Sequence, residues 1–384
     1  MVSHLRQRPS SVRMIDEPLK PDLVLVLTYL VISAIGLLMV YSATAPRLEA
    51  RGLDPAAELR SQAIWVVLGF IVFAVASTIN LVELKGFTGP IYIGAVFLLV
   101  LVFPLGESDG IAQRWIDLGR IQFQPSEFAK IAVILMIASV LSAASTPLKW
   151  HVVARVIAVV GVPIALIFFQ PDLGTSLVFA FVTLAMLFVG GATMRQLGFL
   201  FVATVIATVG VFQLDVIEDY QVTRLTAFLD AESQSLDVVY NQVQSEIAIG
   251  SGGLFGKGLF EGTQTNLQFV PVQSSDFIFT AVGEQFGFIG SVIVIGLFGL
   301  MLFRLLMIAS RARSRFAFLV TSGIAAMIGF HVFVNIGMTI RIMPVTGLPL
   351  PFMSAGGTVF VALSAALGLA HSAWIRRNSP VGSD

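Results

Sequence analysis

Long apolar segments recur along the 384-residue chain, and most polar and charged residues lie between them. Each segment has about 20 residues, the length that an α-helix needs to cross the hydrocarbon core of a bilayer. We therefore expect an all-α integral membrane protein with one membrane domain over residues 22–377 and short tails at 1–21 and 378–384. The pattern predicts ten membrane-spanning helices, at residues 22–43, 61–80, 88–106, 125–144, 151–169, 174–192, 197–214, 276–307, 316–340 and 355–375.

The composition excludes a soluble globular fold. Hydrophobic residues make up 56% of the chain and charged residues only 12%, whereas a soluble domain has about 25% charged residues. The net charge is zero, so no bulk attraction to nucleic acid is expected. The chain has no cysteine, which excludes disulfides and thiolate metal sites. The first apolar segment ends at Ala43-Thr44-Ala45, which resembles a signal-peptidase site, but its length and the nine segments that follow favour a signal-anchor helix.

The distribution of Lys and Arg predicts the orientation. With ten spans, thirteen of these residues fall in segments on the side of the N-terminus and eight fall on the other side. Because basic residues are more frequent in cytoplasmic segments, both tails are predicted to be cytoplasmic. The longest loop, at about 215–275, is then extracytoplasmic.

Several polar residues lie inside or beside the predicted spans, where ionisable groups are rare and often functional. Glu127 and Lys130 are three residues apart and share one helical face. They form either a structural ion pair or a site in which Lys130 offers positive charge to an anionic ligand. Asp172, with Thr175, either caps the following helix or lines a polar cavity.

Two further stretches carry candidate ligand contacts. In "RWIDLG" (114–119), Arg114 beside Trp115 suits phosphate recognition, although interfacial anchoring explains the tryptophan equally well. The glycine-rich "GSGGLFGKGLFEG" (250–262) contains Lys257, but Gly258 follows it where a phosphate-binding P-loop has Ser or Thr. Its glycines permit either tight turns or a close approach of the backbone to an anionic or sugar ligand.

Two carboxylates mark the start of the eighth predicted span. Asp276 stands at the mouth of the helix, and Glu284 lies about two turns further in. The Pro- and Gly-rich "MPVTGLPLPFMSAGG" (343–357) separates the last two spans. Irregular backbone at membrane depth is tolerated only where it is buried in protein or lines a cavity. His331 and the many phenylalanines are interpreted as packing residues.

Five motifs occur in an order that resembles one family of bacterial membrane proteins. They are "RWIDLGRIQFQPSEFAK", "QPDLGTS", "YNQVQSEIAIGSGGLFGKGLFEGTQT", "VPVQSSDFIFTAVGEQFGFIG" and "NIGMTIRIMPVTGLPLPFMSAGG". Together they resemble the SEDS family (shape, elongation, division and sporulation), which polymerises bacterial cell wall. The "GTQT" element is more similar to the elongation members than to the division members.

The resemblance implies an activity and its partners. Members of the family have ten transmembrane helices and polymerise lipid II, a disaccharide-pentapeptide on undecaprenyl pyrophosphate, at the outer face of the cytoplasmic membrane. They act with a class B penicillin-binding protein, a transpeptidase, and for the elongation members with other membrane proteins of the elongation complex. No organic cofactor is expected.

The resemblance also implies the site residues. The essential acid of the family corresponds to Asp276, although Val272, Ser274 and Ser275 replace residues usual in that motif. The remaining candidates lie in the five motifs and are expected to contact substrate: Arg114, Glu127, Lys130, Asp172, Thr175, Gln244, Ser245, Lys257, Glu284 and Ser354.

The chemistry of glycan extension gives these residues roles. An acceptor hydroxyl attacks an anomeric carbon while lipid pyrophosphate leaves, and Asp276 is placed to take the hydroxyl proton as general base. The departing pyrophosphate needs positive charge, from Arg114, Lys130 or a divalent cation (Mg²⁺ or Mn²⁺) held partly by the phosphates. Glu284 is expected to support the helix or the cavity.

Two other classes of function fit part of the pattern. A lipid II flippase would also use buried acids and interrupted helices, although no convincing inverted repeat relates the two halves. A non-catalytic scaffold that recruits wall enzymes would leave the acids and the lysine inside the spans unexplained.

Overall fold

The computed structural model describes residues 20–108, 113–117, 119, 122–213 and 236–377. Nine helices in this part of the chain are long and apolar enough to span a membrane. The seventh predicted span, at 197–214, corresponds to α8, whose described apolar part, Met194–Ile206, is shorter than a full span. The prediction of an all-α membrane protein is confirmed. The nine helices are α1 (Leu23–Ala50), α2 (Ala57–Thr78), α4 (Thr88–Leu105), α5 (Pro125–Ser142), α6 (Trp150–Phe168), α7 (Leu173–Gly190), α11 (Ile278–Ser310), α12 (Arg315–Thr339) and α13 (Gly357–Ile375).

The smaller elements lie between these helices. They are the helices α3 (Leu81–Gly86), α8 (Met194–Gln213), α9 (Leu236–Ser251) and α10 (Thr263–Asn266), and the strands β1 (Gly106–Ser108), β2 (Gln113–Asp117) and β3 (Gln122–Phe123). The strands form one antiparallel sheet in the order β1-β2-β3. Two helices that were not predicted, α9 and α10, lie within the predicted extracytoplasmic loop at about 215–275, of which the structure describes residues 236–275. Helix α9 has only 16 residues, too few to cross a bilayer, and its middle at 241–246 is mostly polar, so it does not stand out as an apolar segment in the sequence.

Side-chain caps fix where the long helices begin. The Asp22 carboxylate accepts a hydrogen bond from the N–H of Leu25 at the start of α1. The Ser314 hydroxyl accepts one from Ala317 at the start of α12. Such caps satisfy backbone donors that have no partner within the helix.

Helices α5, α12 and α13 form the centre of the bundle. Over the 18 residues of each helix that match a membrane span best, 72% of α5 and 78% of α13 is buried, whereas only 22% of α4 is buried. The outward side chains of α4 are nevertheless apolar, Ile93 and Phe97 among them. In a membrane these exposed apolar surfaces face lipid, so the polar residues buried in the central helices have no water to bind.

The two ends of the bundle differ in their chemistry. At the end opposite to Asp276, Arg304 donates to the Asp22 carboxylate, and the guanidinium of Arg377 lies 3.7 Å from the centre of the Trp374 ring. The end that holds Asp276, called here the Asp276 end, contains the β-sheet, α9, α10 and the irregular segment 343–356. The orientation of these two ends in the membrane stays a prediction.

We expect the Asp276 end to face outward. A cysteine at the exposed position Glu261 should react with a membrane-impermeant thiol reagent in intact cells, and one at the exposed position Ser310 should react only after the cells are broken. The cysteine-free chain gives no background labelling. The reverse pattern would reject the predicted orientation.

The glycine-rich segment 250–262 packs against the backbone of α11. A side chain at Gly256 would overlap the carbonyl oxygen of Gln285, and the φ angle of Gly256 is +83°. The N–H groups of Lys257 and Gly258 donate to the carbonyl oxygens of Glu284 and Gln285, at 3.0 and 3.1 Å. The structure shows a use of these glycines that the sequence did not indicate, the close approach of two backbones, and contact with a ligand stays a prediction.

This packing predicts a difference between two glycines in one segment. We expect Gly256→Ala to lower the melting temperature of the purified protein, because the new Cβ meets the α11 backbone at a left-handed φ. Gly250→Ala is the matched control, since Gly250 is helical and a Cβ there meets no atom within 4 Å. Equal melting temperatures for the two variants would contradict the packing described.

Candidate active site

Asp276 lies in a turn just before α11. Its N–H donates to the carbonyl oxygen of Val272 at 3.1 Å, and its own carbonyl oxygen accepts a hydrogen bond of 2.8 Å from the side chain of Asn335. The Asp276 side chain is partly buried. The backbone of the turn is therefore held from both sides, while the carboxylate retains access to the surface.

The irregular segment 343–356 forms the opposite wall of this turn. A Cβ at Gly347 would lie 3.5 Å from Oδ2 of Asp276, so the carboxylate lies directly over a residue without a side chain. Ser354 donates through its hydroxyl to the carbonyl oxygen of Ser275 and accepts from the N–H of Leu350 at 2.9 Å. Ser354, which was predicted to bind substrate, holds the Asp276 turn in place.

A buried polar cluster connects α5 to the Asp276 turn. Lys130 Nζ lies 2.8 Å from each carboxylate oxygen of Glu127 and 3.2 Å from Nε2 of His331. His331 lies one turn before Asn335 on α12, and Asn335 donates to the carbonyl oxygens of Asp276 and Leu348. The interpretation of His331 as a packing residue was therefore wrong. The signal that was missed is the spacing of four residues between two buried polar side chains on one helix.

The contacts of Lys130 favour the ion-pair interpretation. Lys130 Nζ donates a hydrogen bond to Oε1 of Glu127 and makes a second one with Nε2 of His331, while Oε2 of Glu127 lies 2.8 Å away as part of the ion pair. Lys130 is 2% exposed and Glu127 is 3% exposed. Direct contact of Lys130 with an anionic ligand would require these hydrogen bonds to rearrange, and this role stays a prediction.

Asp172 caps α7, as one of the two sequence interpretations predicted. Its Oδ1 accepts from the N–H of Thr175 at 3.1 Å, and its Oδ2 accepts from the Thr175 hydroxyl at 2.8 Å. Arg114 donates to the carbonyl oxygen of Pro171, so the sheet is attached to this helix start. A Cβ at Gly174 would collide with the carbonyl oxygen of Thr346. The start of α7 thereby supports segment 343–356.

Glu284 is completely buried and holds the glycine-rich segment against α11. Its Oε1 accepts from Lys257 Nζ at 2.9 Å and from the N–H of Gln264 at 2.8 Å. Its Oε2 accepts from the N–H and the hydroxyl of Thr265, at 2.9 and 2.8 Å. The prediction that Glu284 supports the helix fits these contacts. Lys257 forms an ion pair with Glu284. Contact of Lys257 with substrate stays a prediction.

The remaining candidates lie on α9. The Ser245 hydroxyl donates to the carbonyl oxygen of Thr339 at 2.7 Å, which attaches α9 to the end of α12. Gln244 is partly buried beside it. Substrate contact by either residue stays a prediction.

No protein cage for a metal ion is present among the described residues. In that part of the chain, no group of three or more His, Asp and Glu side chains is arranged to hold a metal. A divalent cation at Asp276 would take this one carboxylate as its protein ligand and obtain other oxygens from phosphate and water. The single carboxylate is compatible with that mode, and a cation requirement stays a prediction.

A second positively charged feature adjoins the Asp276 turn. A cavity of about 270 Å³ lies between the end of α1 and residues 268–274, and both Arg47 and Arg51 line it. The Nε atom of Arg47 is buried without a hydrogen-bond partner among the described residues. The described lining includes no acidic residue. Sequence reasoning missed this pair, because two arginines four residues apart near the end of a helix are also typical of a helix C-terminus.

Comparison with known proteins is consistent across sequence and structure. The sequence model of the FtsW, RodA and SpoVE family, described as cell cycle protein, matches residues 22–378. The chain is 39% identical over 307 residues to peptidoglycan glycosyltransferase MrdB of Escherichia coli K12, covering 80% of this chain and 83% of that protein. It is 33% identical to peptidoglycan glycosyltransferase RodA of Treponema pallidum, over 91% of this chain and 96% of that protein.

Two solved structures share the fold. A chain of a peptidoglycan synthase complex, described as coordinating polymerization and crosslinking, superposes with a TM-score of 0.79 at 29% identity, covering 94% of this chain and 99% of that chain. The rod shape determining protein RodA of Thermus thermophilus superposes with a TM-score of 0.68 at 30% identity, covering 94% of this chain and 98% of that chain.

The fold and the polar site at one end of the bundle define a multi-pass membrane protein. Within that class, the chain belongs to the SEDS family, whose members include FtsW, RodA and SpoVE. The family resemblance predicted from the five motifs is confirmed.

Proposed function

We propose that this chain is a peptidoglycan glycosyltransferase that polymerises lipid II at the outer face of the bacterial cytoplasmic membrane during cell elongation. Asp276 is the general base, and undecaprenyl pyrophosphate is the leaving group. The observation that carries the proposal is the position of Asp276. A partly buried carboxylate stands at the end of a membrane bundle, with its backbone fixed by Asn335 and its side chain over Gly347.

The fixed turn suits proton transfer from a sugar hydroxyl. A base contributes about 10²–10⁴-fold when it is positioned within hydrogen-bond reach of the proton it removes. Asn335 attaches the turn to α12, and the contact of His331 with Lys130 attaches α12 to α5. Asp276 then receives the proton while the hydroxyl oxygen bonds to the anomeric carbon, and the carbon–oxygen bond to pyrophosphate breaks.

Arg47 and Arg51 supply the positive charge for the leaving pyrophosphate in this proposal. Their cavity adjoins residues 270–274, which lead directly into Asp276. The donors of Lys130 are engaged with Glu127 and His331, and Arg114 donates to the carbonyl oxygen of Pro171. A guanidinium presents several donors in a plane and suits phosphate oxygens.

A polymerisation assay tests the function. Purified protein, labelled lipid II and detergent, with no other polymerase, should yield glycan strands. Absence of polymer under conditions that support a relative such as MrdB would reject the proposal, and a flippase predicts this result, because it forms no glycosidic bond. A scaffold would also produce no polymer.

The same assay tests the arginine pair. We expect Arg47→Met to lower polymerisation by at least tenfold, because the developing pyrophosphate charge loses a donor. Arg60→Met is the matched control, since Arg60 pairs with Asp54 in an exposed position and should retain activity. Equal rates for the two variants would remove Arg47 from the site.

The proposed partner is a class B penicillin-binding protein. The related chain in the peptidoglycan synthase complex supports such a partner, whose transpeptidase crosslinks the strands made here. Other membrane proteins of the elongation complex are expected to bind the same assembly.

A further inference from the structure

A second cavity lies beside the Asp276 turn and has no role in the steps above. Its volume is about 480 Å³, within the range of about 300–1,000 Å³ typical of small-ligand sites. It lies between the start of α2, the β-sheet and the start of α13, and we call it the tryptophan cleft. Its lining includes Glu58, Gln62, Trp65, Trp115, Asp117 and Gln122.

Two indole rings on rigid elements form part of its walls. Trp65 projects from α2, and its ring lies so close to Gly357 that any side chain there would overlap it. Trp115 and Asp117 lie on β2, where alternate residues share one face of the strand. Arg114 points to the other face and bonds to Pro171. The sequence suggested that Arg114 and Trp115 together recognise phosphate. In the structure Trp115 lines the cleft, and Arg114 lies at the start of α7 instead.

The polar groups of the cleft are mostly hydrogen-bond acceptors and amides. Glu58 and Asp117 are both exposed, and none of the described lining residues is basic. Gln62 is fixed by segment 343–356, because its Oε1 accepts from the N–H of Gly356 at 3.2 Å. Flat apolar surfaces with carboxylate and amide groups around them match a sugar ring, which has apolar C–H faces and a rim of hydroxyl and amide donors.

The cleft is joined directly to the proposed catalytic turn. The N–H of Ala355, in the cleft wall, donates to the carbonyl oxygen of Ser274 at 2.8 Å. Ser354 donates to the carbonyl oxygen of Ser275. Ser274 also lines the Arg47 cavity. The Asp276 turn thus lies between a cavity with two guanidinium groups and a cleft with two indoles and two carboxylates.

We propose that the tryptophan cleft is a sugar subsite that holds rings of the glycan strand next to the reacting sugar. This inference rests on the proposed polymerase function and adds a binding site to it. The two carboxylates disfavour phosphate in the cleft, whereas the Arg47 cavity attracts it. The opposite charges of the two cavities orient the substrate, with pyrophosphate on one side of Asp276 and sugar rings on the other.

Tryptophan fluorescence tests the subsite without any turnover. The chain contains four tryptophans, and Trp150→Phe with Trp374→Phe leaves only the two in the cleft. Chitotetraose, an uncharged β-1,4-linked oligomer of N-acetylglucosamine, is titrated into this full-length protein in detergent. We expect a saturable fluorescence change, and at least tenfold weaker binding after Trp65→Ala, read through Trp115. If the Ala variant fails to fold, Gly357→Ala displaces the Trp65 ring without removing it and should weaken binding similarly.

Other outcomes reject the inference. Interfacial anchoring of the two tryptophans predicts no response to chitotetraose. A response to inorganic pyrophosphate in place of chitotetraose would make the cleft an anion site. Binding that is unchanged by Trp65→Ala and by Gly357→Ala would locate the sugar elsewhere.

The polymerisation assay separates this inference from the proposed function. Polymer formation by the unmutated protein without chitotetraose binding would reject the subsite and retain the polymerase. Chitotetraose binding without polymer formation would reject the polymerase and retain the sugar site. In an active protein, Trp65→Ala should shorten the glycan strands, because the strand dissociates sooner between additions.

Discussion

We expect Asp276→Asn to abolish the formation of glycan strands from lipid II in detergent. Asparagine has the shape of aspartate but cannot accept the hydroxyl proton, so the rate should fall by about 10²–10⁴-fold. Lipid II binding should persist, since the amide still offers a hydrogen bond to the hydroxyl. The backbone contacts of Asp276 to Val272 and Asn335 do not depend on the carboxylate, so the melting temperature should stay close to that of the unmutated protein.

Two controls make this result specific. Glu246→Gln removes a carboxylate at the same end of the bundle, where it faces Arg341 at 3.6 Å in an exposed position, and should leave polymerisation unchanged. Raising the pH should not restore Asp276→Asn, because hydroxide does not replace a positioned base. A flippase predicts instead that this variant changes only lipid movement in vesicles. Substantial polymer from purified Asp276→Asn protein would exclude Asp276 as the base.

The second large effect is expected at the buried pair of Glu127 and Lys130. Lys130→Met leaves a buried carboxylate without its partner, and the loss of one member of such a pair lowers the free energy of unfolding by about 3–5 kcal/mol. Polymerisation should also be lost, because His331 loses its contact with Lys130 one turn before Asn335, which fixes Asp276. Melting temperature and polymer yield in detergent measure the two effects.

The double variant Glu127→Gln with Lys130→Met separates stability from activity. It removes both buried charges, so most of the lost stability should return, while polymerisation should remain absent. Asp54→Asn with Arg60→Met is the control for an exposed pair. Loss of such a pair lowers the free energy of unfolding by about 0–1 kcal/mol. Full activity in the Glu127–Lys130 double variant would reduce the pair to a structural role, and unchanged stability in Lys130→Met would contradict the cost of its burial.

For two candidate residues the structure shows a role that sequence reasoning had offered, while their predicted contact with substrate stays a prediction. Asp172 was expected to cap or to line a cavity, and the structure has the cap, because a carboxylate before a helix start meets free N–H groups of its own chain. Glu284 was expected to support the helix, and it does so by holding Gly262–Thr265 beside α11. In both cases the backbone N–H groups that the carboxylate binds lie at most 20 residues away along the chain.

Roles that depend on distant segments were missed. His331 contacts Lys130, which lies 201 positions earlier in the chain, and nothing in the local pattern around His331 indicates that partner. Arg47 and Arg51 form a cavity only together with residues 268–274. Trp65 forms a cleft only together with Trp115 and Gly357. Strand β2 was not predicted either, since strands of two to five residues leave almost no periodic signal.

The sequence by itself determined the membrane class, the approximate bounds of the nine long helices that the described residues contain, and the family, while the count of ten spans stays a prediction. These follow from the length of apolar segments, which the bilayer thickness fixes, and from motifs that remain readable in linear order. Only the tertiary structure decided which polar groups meet. The packing of the helices brings Asn335 to the Asp276 turn and places Lys130 within hydrogen-bond distance of Glu127. The pleat of strand β2 places Arg114 and Trp115 on opposite faces of the sheet.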